Sequence, residues 1–392
     1  MTGRSCPVCG TTSERTFLEI ATAPVFCNVL SPTAEEARAA PTGEIALHAC
    51  TRCGMVWNAA FDEARVEYAP GYENSLHFSG VFQGYAEELA ERLVARHGLR
   101  GKRVVELGSG TGEFLALLCA DGVTEGVGYD PSYSDDAGAG ATSSSVRFVR
   151  GFYTASAAAA EPPDLVVSRH VLEHVADPLA FLRELREGLR AAPHAVVYLE
   201  VPAADSMLRD EAVWDVIYEH PSYFTAPALR TLFEATGFRV LAEGLGYGDQ
   251  YRWVEAVPGD ARKGVEAADE AEVRAIGATA ATFGDAFRRR VAAWDERLLE
   301  RAGNGGVALW GAGSKGVTFL NSVPGARRIP TVVDLNPRKH GRHVPGTGQV
   351  ISPPDALGAT RVHTVIGMNP LYSSEIGRHL VSLGVQAEVE VV

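Results

Sequence analysis

A chain of 392 residues, 46% hydrophobic and 22% charged, is long enough for two or three domains and has the composition of an ordinary globular enzyme. A formal net charge of -13 with no basic run excludes the phosphate-binding footprint of a nucleic-acid protein. No apolar stretch reaches membrane-spanning length, and the N-terminus lacks the basic start and apolar core of a signal peptide, so the expectation is a soluble, cytoplasmic protein acting on a small molecule, with no nucleic-acid or membrane partner.

The first elements are two matched cysteine pairs, Cys6-Pro-Val-Cys9-Gly and Cys50-Thr-Arg-Cys53-Gly. Each pair forms a tight knuckle whose glycine lets the backbone curl around a metal, and two knuckles supply the four thiolates of a closed tetrahedral zinc site. Such a site leaves no open position for water, so Zn2+ here is expected to be structural. Cys27 and Cys119 sit in apolar settings and read as core thiols. Between the knuckles, Thr16–Ile20 and Glu44–His48 read as short strands. Residues 1–65 are therefore expected to form a small zinc-stapled β-rich domain, since so short a segment buries little core without the metal.

Residues 66–255 alternate helices and strands. Leu89, Leu93 and Val94 recur at helical spacing within Tyr85–Arg96. A β-branched run, Arg103–Leu107, then leads through a glycine cluster into a helix, Glu113–Ala120. Gly126–Asp130, Asp164–Ser168 and Ala195–Val201 read as further buried strands, Pro178–Leu189 as an amphipathic helix, and the Ala/Gly/Ser-rich stretch 136–145 as a flexible loop. This alternation argues for an α/β fold, a parallel sheet covered on both faces. Residues 256–302 are expected to be a helical connector. Residues 303–392 open a second Rossmann-like α/β unit with Val307–Trp310, the loop Gly311-Ala-Gly-Ser-Lys315-Gly316, and strands near Thr331–Asp334 and Thr364–Met368.

The first glycine loop, Glu106-Leu-Gly108-Ser109-Gly110-Thr-Gly112, lies between a strand and a helix, where glycines permit a tight turn and close approach to a ligand. Asp130, at the end of the next strand, is placed to accept hydrogen bonds from a ribose diol. These two features do not separate a dinucleotide from S-adenosylmethionine. The Gly311 loop with Asp334 keeps a nicotinamide-dependent oxidoreductase as an alternative. Lys315 in that loop, and Arg252, are candidate local cations for an acidic substrate group.

The segment Glu106–Gly112 resembles the first motif of class I S-adenosylmethionine-dependent methyltransferases. That resemblance implies that the loop faces the amino-acid end of S-adenosyl-L-methionine, that Asp130 holds its ribose, and that Gly151-Phe152-Tyr153 flanks the adenine. It also places Asp164–His174, which ends in His170-Val-Leu-Glu173-His174, beside the sulfonium. Over nearly the full chain, zinc knuckles ahead of a methyltransferase domain and a Rossmann-like unit after it resemble the C-methyltransferases of deoxysugar biosynthesis, enzymes of antibiotic pathways that act on nucleotide-linked 4-keto sugars. Tyr72-Glu-Asn74-Ser75 through Phe82-Gln83, Ser168–His174 and Tyr218-Glu219-His220-Pro-Ser-Tyr223-Phe224 carry the match. One departure stands out: the loop 311–316 replaces the glycine-alanine-proline-alanine-lysine-glycine loop of those enzymes, and Asp334-Leu-Asn-Pro with Gly367-Met-Asn-Pro resembles a sister group of the same three-domain plan.

C-methylation beside a ketone needs a base of near-neutral pKa and donors for an enolate oxygen. His220 is the expected base, a role that the resemblance also implies, with Glu219 as its orienting group and Tyr218 and Tyr223 as hydroxyls near substrate or enolate. His170, past a buried strand at the carboxyl edge of the sheet, is the second candidate. His174 is not expected to be catalytic. Tyr72, Asn74, Ser75 and His77 are expected at the entrance to the site. Thr225 is placed to cap a helix starting near Ala226.

Overall fold

The computed structural model describes residues 5–13, 15–66, 72–133, 145–260, 269–301 and 306–392. Most of the Ala/Gly/Ser-rich stretch read as a loop, and residues 302–305 ahead of the third unit, lie outside these residues.

Near the N-terminus, β1 (Thr16–Pro24), β2 (Thr42–Ala49) and β3 (Val56–Asn58) form an antiparallel sheet. Burial alternates along β2, with Ile45 and Leu47 fully inside, because alternate side chains face the core.

The central unit contributes β4 (Arg103–Leu107), β5 (Glu125–Tyr129), β6 (Val146–Val149), β7 (Leu165–Arg169), β8 (Val196–Pro202), β9 (Ser222–Tyr223), β10 (Phe238–Gly246) and β11 (Tyr251–Pro258). Seven of these build one sheet in the order β10-β11-β8-β7-β4-β5-β6, parallel except for β11, which runs antiparallel between β10 and β8. Such strands are buried on both faces, which explains the largely apolar runs of β7 and β8. The strand order reverses around β4, between β5 and β7, so the loops after β4 and β7 diverge there and leave a crevice. The exception is β9, which leaves the central sheet and pairs with β3, joining Val56 to Tyr223 and Trp57 to Ser222.

The last unit holds β12 (Gly306–Trp310), β13 (Thr331–Val333), β14 (Ile351–Ser352), β15 (Val362–Gly367) and β16 (Glu388–Val391). They form an all-parallel sheet, β14-β13-β12-β15-β16, that reverses around β12. The fold class is thus the expected one: a Rossmann-like sheet, a second parallel sheet after it, and a cysteine cluster ahead of both.

The helix Glu270–Arg301 connects the two large units but is not a free spacer. Gly284 brings it against β1, where a Cβ would lie 2.2 Å from the Phe17 carbonyl. Its Phe283 and Trp294 belong to one apolar core shared with Ile45 and Leu47 of β2 and with Phe319 and Val332 of the last unit. Truncating a ring such as Phe283, 1% exposed, would cost about 3–5 kcal/mol. Among the described residues no helix is long and apolar enough to cross a membrane.

Candidate functional site

The two cysteine knuckles repeat each other bond for bond. The Cys6 amide donates to the Thr11 carbonyl and the Gly10 amide to the Cys6 carbonyl; the Cys50 amide donates to Met55 and the Gly54 amide to Cys50. Gly10 and Gly54 both have φ +73°, a left-handed turn that a side chain would strain. The four thiols are free and converge, with Cys6 and Cys53 sulfurs 3.6 Å apart and those of Cys9 and Cys50 3.4 Å apart. These separations exceed a disulfide bond of about 2.05 Å and approach the spacing of about 3.8 Å set by tetrahedral zinc–sulfur bonds of about 2.3 Å. The donor set therefore fits zinc.

The second knuckle also buttresses the loop that carries His220. Thr225 donates its hydroxyl to the Gly54 carbonyl and accepts the Ala228 amide, so one side chain caps the helix Ala226–Ala235 and grips the knuckle. The Asn58 amide donates to the Pro221 carbonyl. Cys27 donates its amide to Glu219 Oε2 at 2.9 Å. Tyr218 accepts the Asp62 amide at 3.0 Å and donates back to the Asp62 carbonyl.

A cleft of about 780 Å³ opens where the two reversal points face each other. Glu106, Gly108, Ser109 and Gly110 line one wall, and Gly311, Gly313 and Lys315 another. In the first loop Gly108, Gly110 and Gly112 all have left-handed backbone. A Cβ on Gly108 would come within 2.3 Å of Val171, and one on Gly112 within 2.3 Å of Phe148. Asp130 clasps the loop: its Oδ2 accepts the Gly110 amide at 2.9 Å, and its Oδ1 accepts the amide and hydroxyl of Ser132. Glu106 Oε2 and Ser109 Oγ are buried without partners, and burial pushes the Glu106 carboxyl up to about 8. One carboxyl oxygen and one hydroxyl without partners, beside open backbone, suit a ligand that carries an ammonium group and donors of its own, as S-adenosylmethionine does.

The third unit repeats the clasp. Asp334 Oδ2 accepts the Ala312 amide at 2.8 Å, and its Oδ1 accepts the Asn336 amide at 2.9 Å.

Besides His77, three histidines line the cleft: His170, His174 and His220. His170 follows β7 with φ +55°, unusual for a residue with a Cβ, and its amide donates to the Glu200 carbonyl. Its ring lies between two carboxylates, Nδ1 at 3.5 Å from Glu173 and Nε2 at 3.4 Å from Glu200. Burial lowers its pKa, but Glu173 and Glu200 outweigh burial and raise it to about 9. Glu200 is fully buried and also accepts from Arg169, Tyr198 and Tyr85. His220 faces the other way electrostatically: burial first, then His174 and His170, push its pKa well below the ordinary value. The His174 and His220 rings meet edge-on, with centroids 4.7 Å apart. His174 donates Nδ1–H to the Glu219 carbonyl at 3.1 Å.

The structure brings Tyr72, Asn74, Ser75 and His77 to the cleft with the glycine loop. Tyr72 accepts from Asn28, and Ser75 donates to Glu113. Six other expected side chains, Tyr218, Tyr223, Phe152, Tyr153, Glu219 and Arg252, do not line the cleft. Tyr218 is 1% exposed and its hydroxyl is committed to Asp62, so it serves the junction with the N-terminal sheet and not the cleft. Tyr223 is bonded at both hydroxyl positions to Ile217 and lines a neighbouring cavity of about 310 Å³. Phe152 is 79% exposed, and Tyr153 packs on Tyr129; neither lines the cleft among the described residues. Glu219 lies behind the floor, fully buried, with its pKa raised by burial. Lys315 reaches both cavities but is paired with Asp215 at 2.8 Å, so it is not a free cation. Arg252 is held by Asp205 away from the cleft.

Sequence reasoning missed Glu200, Arg169, Tyr251 and Asn369 as site residues. Glu200 had a signal: it is the one charge in the apolar run of β8. Tyr251, whose ring packs 4.3 Å from His170, had none.

Comparison with known proteins gives two family matches. Residues 81–243 match a methyltransferase domain, and residues 253–384 match a C-methyltransferase C-terminal domain. The chain is 28% identical over 244 residues to the C-methyltransferase NovU of Streptomyces niveus, covering 60% of this chain and 56% of that protein. The match thus spans little more than half the length of that relative. Solved structures that resemble part of the chain include an S-adenosylmethionine dependent methyltransferase from Mesorhizobium loti, 16% identical, covering 45% of this chain and 100% of that one with a TM-score of 0.36. Another is the magnesium protoporphyrin IX methyltransferase from Synechocystis PCC 6803, 18% identical, covering 46% of this chain and 84% of that one with a TM-score of 0.36.

Proposed function

We propose that this chain is an S-adenosylmethionine-dependent C-methyltransferase that methylates a carbon alpha to a ketone, with a nucleotide-diphosphate 4-keto-deoxysugar as acceptor. The observation that carries this reading is the shared cleft, where the first glycine loop, His170, His174 and His220, and the third unit's glycine loop all meet.

Glu106, Gly108, Ser109, Gly110 and Asp130 are the residues that would hold S-adenosylmethionine. When bound, it supplies an electrophilic methyl group on a sulfonium. His220, uncharged in its buried setting, takes the proton from the acceptor carbon. His170, kept protonated by Glu173 and Glu200, puts positive charge on the cleft wall to stabilise the enolate oxygen. Two histidines whose surroundings drive their pKa values apart can divide the work in this way. Glu219 anchors His174 through its carbonyl and the base-bearing loop through Cys27. Tyr72, Asn74, Ser75 and His77 close the entrance over the acceptor. Cys6, Cys9, Cys50 and Cys53 are the residues that would hold Zn2+, and a metal there would fix the N-terminal sheet against this loop.

The test is transfer from methyl-13C-labelled S-adenosylmethionine to a panel of nucleotide-linked 4-keto-deoxysugars. A product methyl carbon bonded to carbon in the NMR spectrum supports the reading; a methyl on oxygen or nitrogen, or transfer only to non-sugar metabolites, replaces it. The Asp334 clasp favours one further reading, a nicotinamide nucleotide in the third unit; oxidation of NADPH by candidate ketones would be its mark.

A further inference from the structure

The floor of the cleft holds a second group of metal-ligand side chains, separate from the four cysteines. Glu173, His174 and His220 place one donor atom each within 4.8 Å of one another. All three line the cleft, so an ion held among them keeps open positions toward the cavity.

Each donor is prepared for an ion by its surroundings. His174 Nδ1 faces a carbonyl oxygen, which accepts only, so the proton sits on Nδ1 and the lone pair on Nε2. A ring nitrogen fixed by a backbone carbonyl is the usual support behind a metal-binding histidine. Glu173 is 2% exposed; its Oε1 lies near His170, while its Oε2 is buried with no hydrogen-bond partner. A buried oxygen without a partner is costly unless something meets it. His220 presents its ring at 4.7 Å from that of His174.

We propose that Glu173, His174 and His220 form a site for a divalent transition-metal ion such as Zn2+, Co2+ or Ni2+, and that an ion there inhibits the enzyme by occupying the imidazole of His220. Two imidazoles and one carboxylate with open positions suit these intermediate metals better than Mg2+ or Ca2+, which favour all-oxygen sites. Binding is a simple coordination step and consumes no redox equivalent. The inhibitory part rests on His220 as the base; the binding part does not.

The experiment titrates the full-length protein, with one Zn2+ already on its cysteines, with Co2+. A second equivalent is expected, with weak visible bands and no thiolate charge-transfer absorption. Glu173→Gln and His220→Asn should each weaken it at least about tenfold, in protein that still binds S-adenosylhomocysteine. No second equivalent, or one that survives both substitutions, would overturn the site. Added Zn2+ should also suppress substrate deuterium exchange, and a mild chelator that leaves the cysteine zinc in place should restore it. A second ion that binds through these residues but leaves exchange unchanged would overturn the inhibition and argue against His220 as base, while the site itself stands.

Discussion

The backbone amide of Asn58 donates to the carbonyl of Pro221 at 3.0 Å, so the strand that follows the second cysteine knuckle is bonded to the residue next to His220. With β9 paired to β3 as the fourth strand of that sheet, and Thr225 gripping Gly54, the loop that carries His220 runs directly into the sheet beside the second knuckle. The metal site and the proposed base are one mechanical unit, while the first glycine loop stands on a different sheet.

Removing the metal should therefore separate two properties. Chelation, or Cys53→Ala, is expected to lower turnover by about 100-fold, the effect of an ångström-scale misplacement, while S-adenosylhomocysteine affinity stays nearly unchanged. Metal analysis, calorimetry and a rate measurement on the same sample check this. Metal-free protein with full turnover would contradict it.

Asp130 holds the first glycine loop through the Gly110 amide. Losing a hydrogen bond to a charged group costs about 1.5–3 kcal/mol, so Asp130→Ala should weaken S-adenosylhomocysteine binding by about 10- to 100-fold. Asp334→Ala, which removes the matching clasp in the third unit, should leave that affinity unchanged if only the first loop holds the cofactor. Calorimetric titration of both variants decides it.

Glu106 has its pKa raised to about 8 by burial, with the Arg169 charge opposing. The folded state thus holds this proton more tightly than the unfolded chain, whose ordinary value is 4.5. The resulting contribution to stability is complete below about 4.5 and is lost as pH rises through about 8. Unfolding of the ligand-free protein should show stability falling across that window. Glu106→Gln, which keeps the shape and cannot titrate, should flatten that part of the profile.

Tyr218 separates a structural hydroxyl from a catalytic one. Tyr218→Phe removes the hydroxyl that pairs with the exposed Asp62 and should cost about 0.5–1.5 kcal/mol in unfolding free energy. Turnover should remain near that of the parent. A large loss of rate with unchanged stability would return Tyr218 to the chemistry.

The features legible in the sequence were those written in short range. The cysteine knuckles, the glycine loop with Asp130, the helix cap at Thr225 and the strand–helix alternation each depend on residues within about twenty positions. What could not be read depends on distant partners. Tyr218 looked like a candidate for the chemistry because it adjoins His220, but Asp62, far earlier in the chain, captures its hydroxyl. Lys315 looked like a free cation because Asp215 lies a hundred positions away. The pairing of β9 with β3 was hidden because two residues leave no periodic signal. Glu200 gathers Tyr85, the neighbours Arg169 and His170, and Tyr198 of its own strand, from three places, a convergence that only the folded sheet brings about.

The proposed mechanism requires His220 to make a carbon nucleophile in this cleft. The direct measurement incubates the protein in heavy water with S-adenosylhomocysteine and nucleotide-linked 4-keto-deoxysugars, and reads deuterium uptake beside the ketone by mass spectrometry. Enzyme-dependent uptake is expected, falling by about 10²- to 10⁴-fold in His220→Ala with S-adenosylhomocysteine still bound. Uptake that persists undiminished in His220→Ala, or no uptake with any sugar in protein shown to bind S-adenosylhomocysteine, would contradict it.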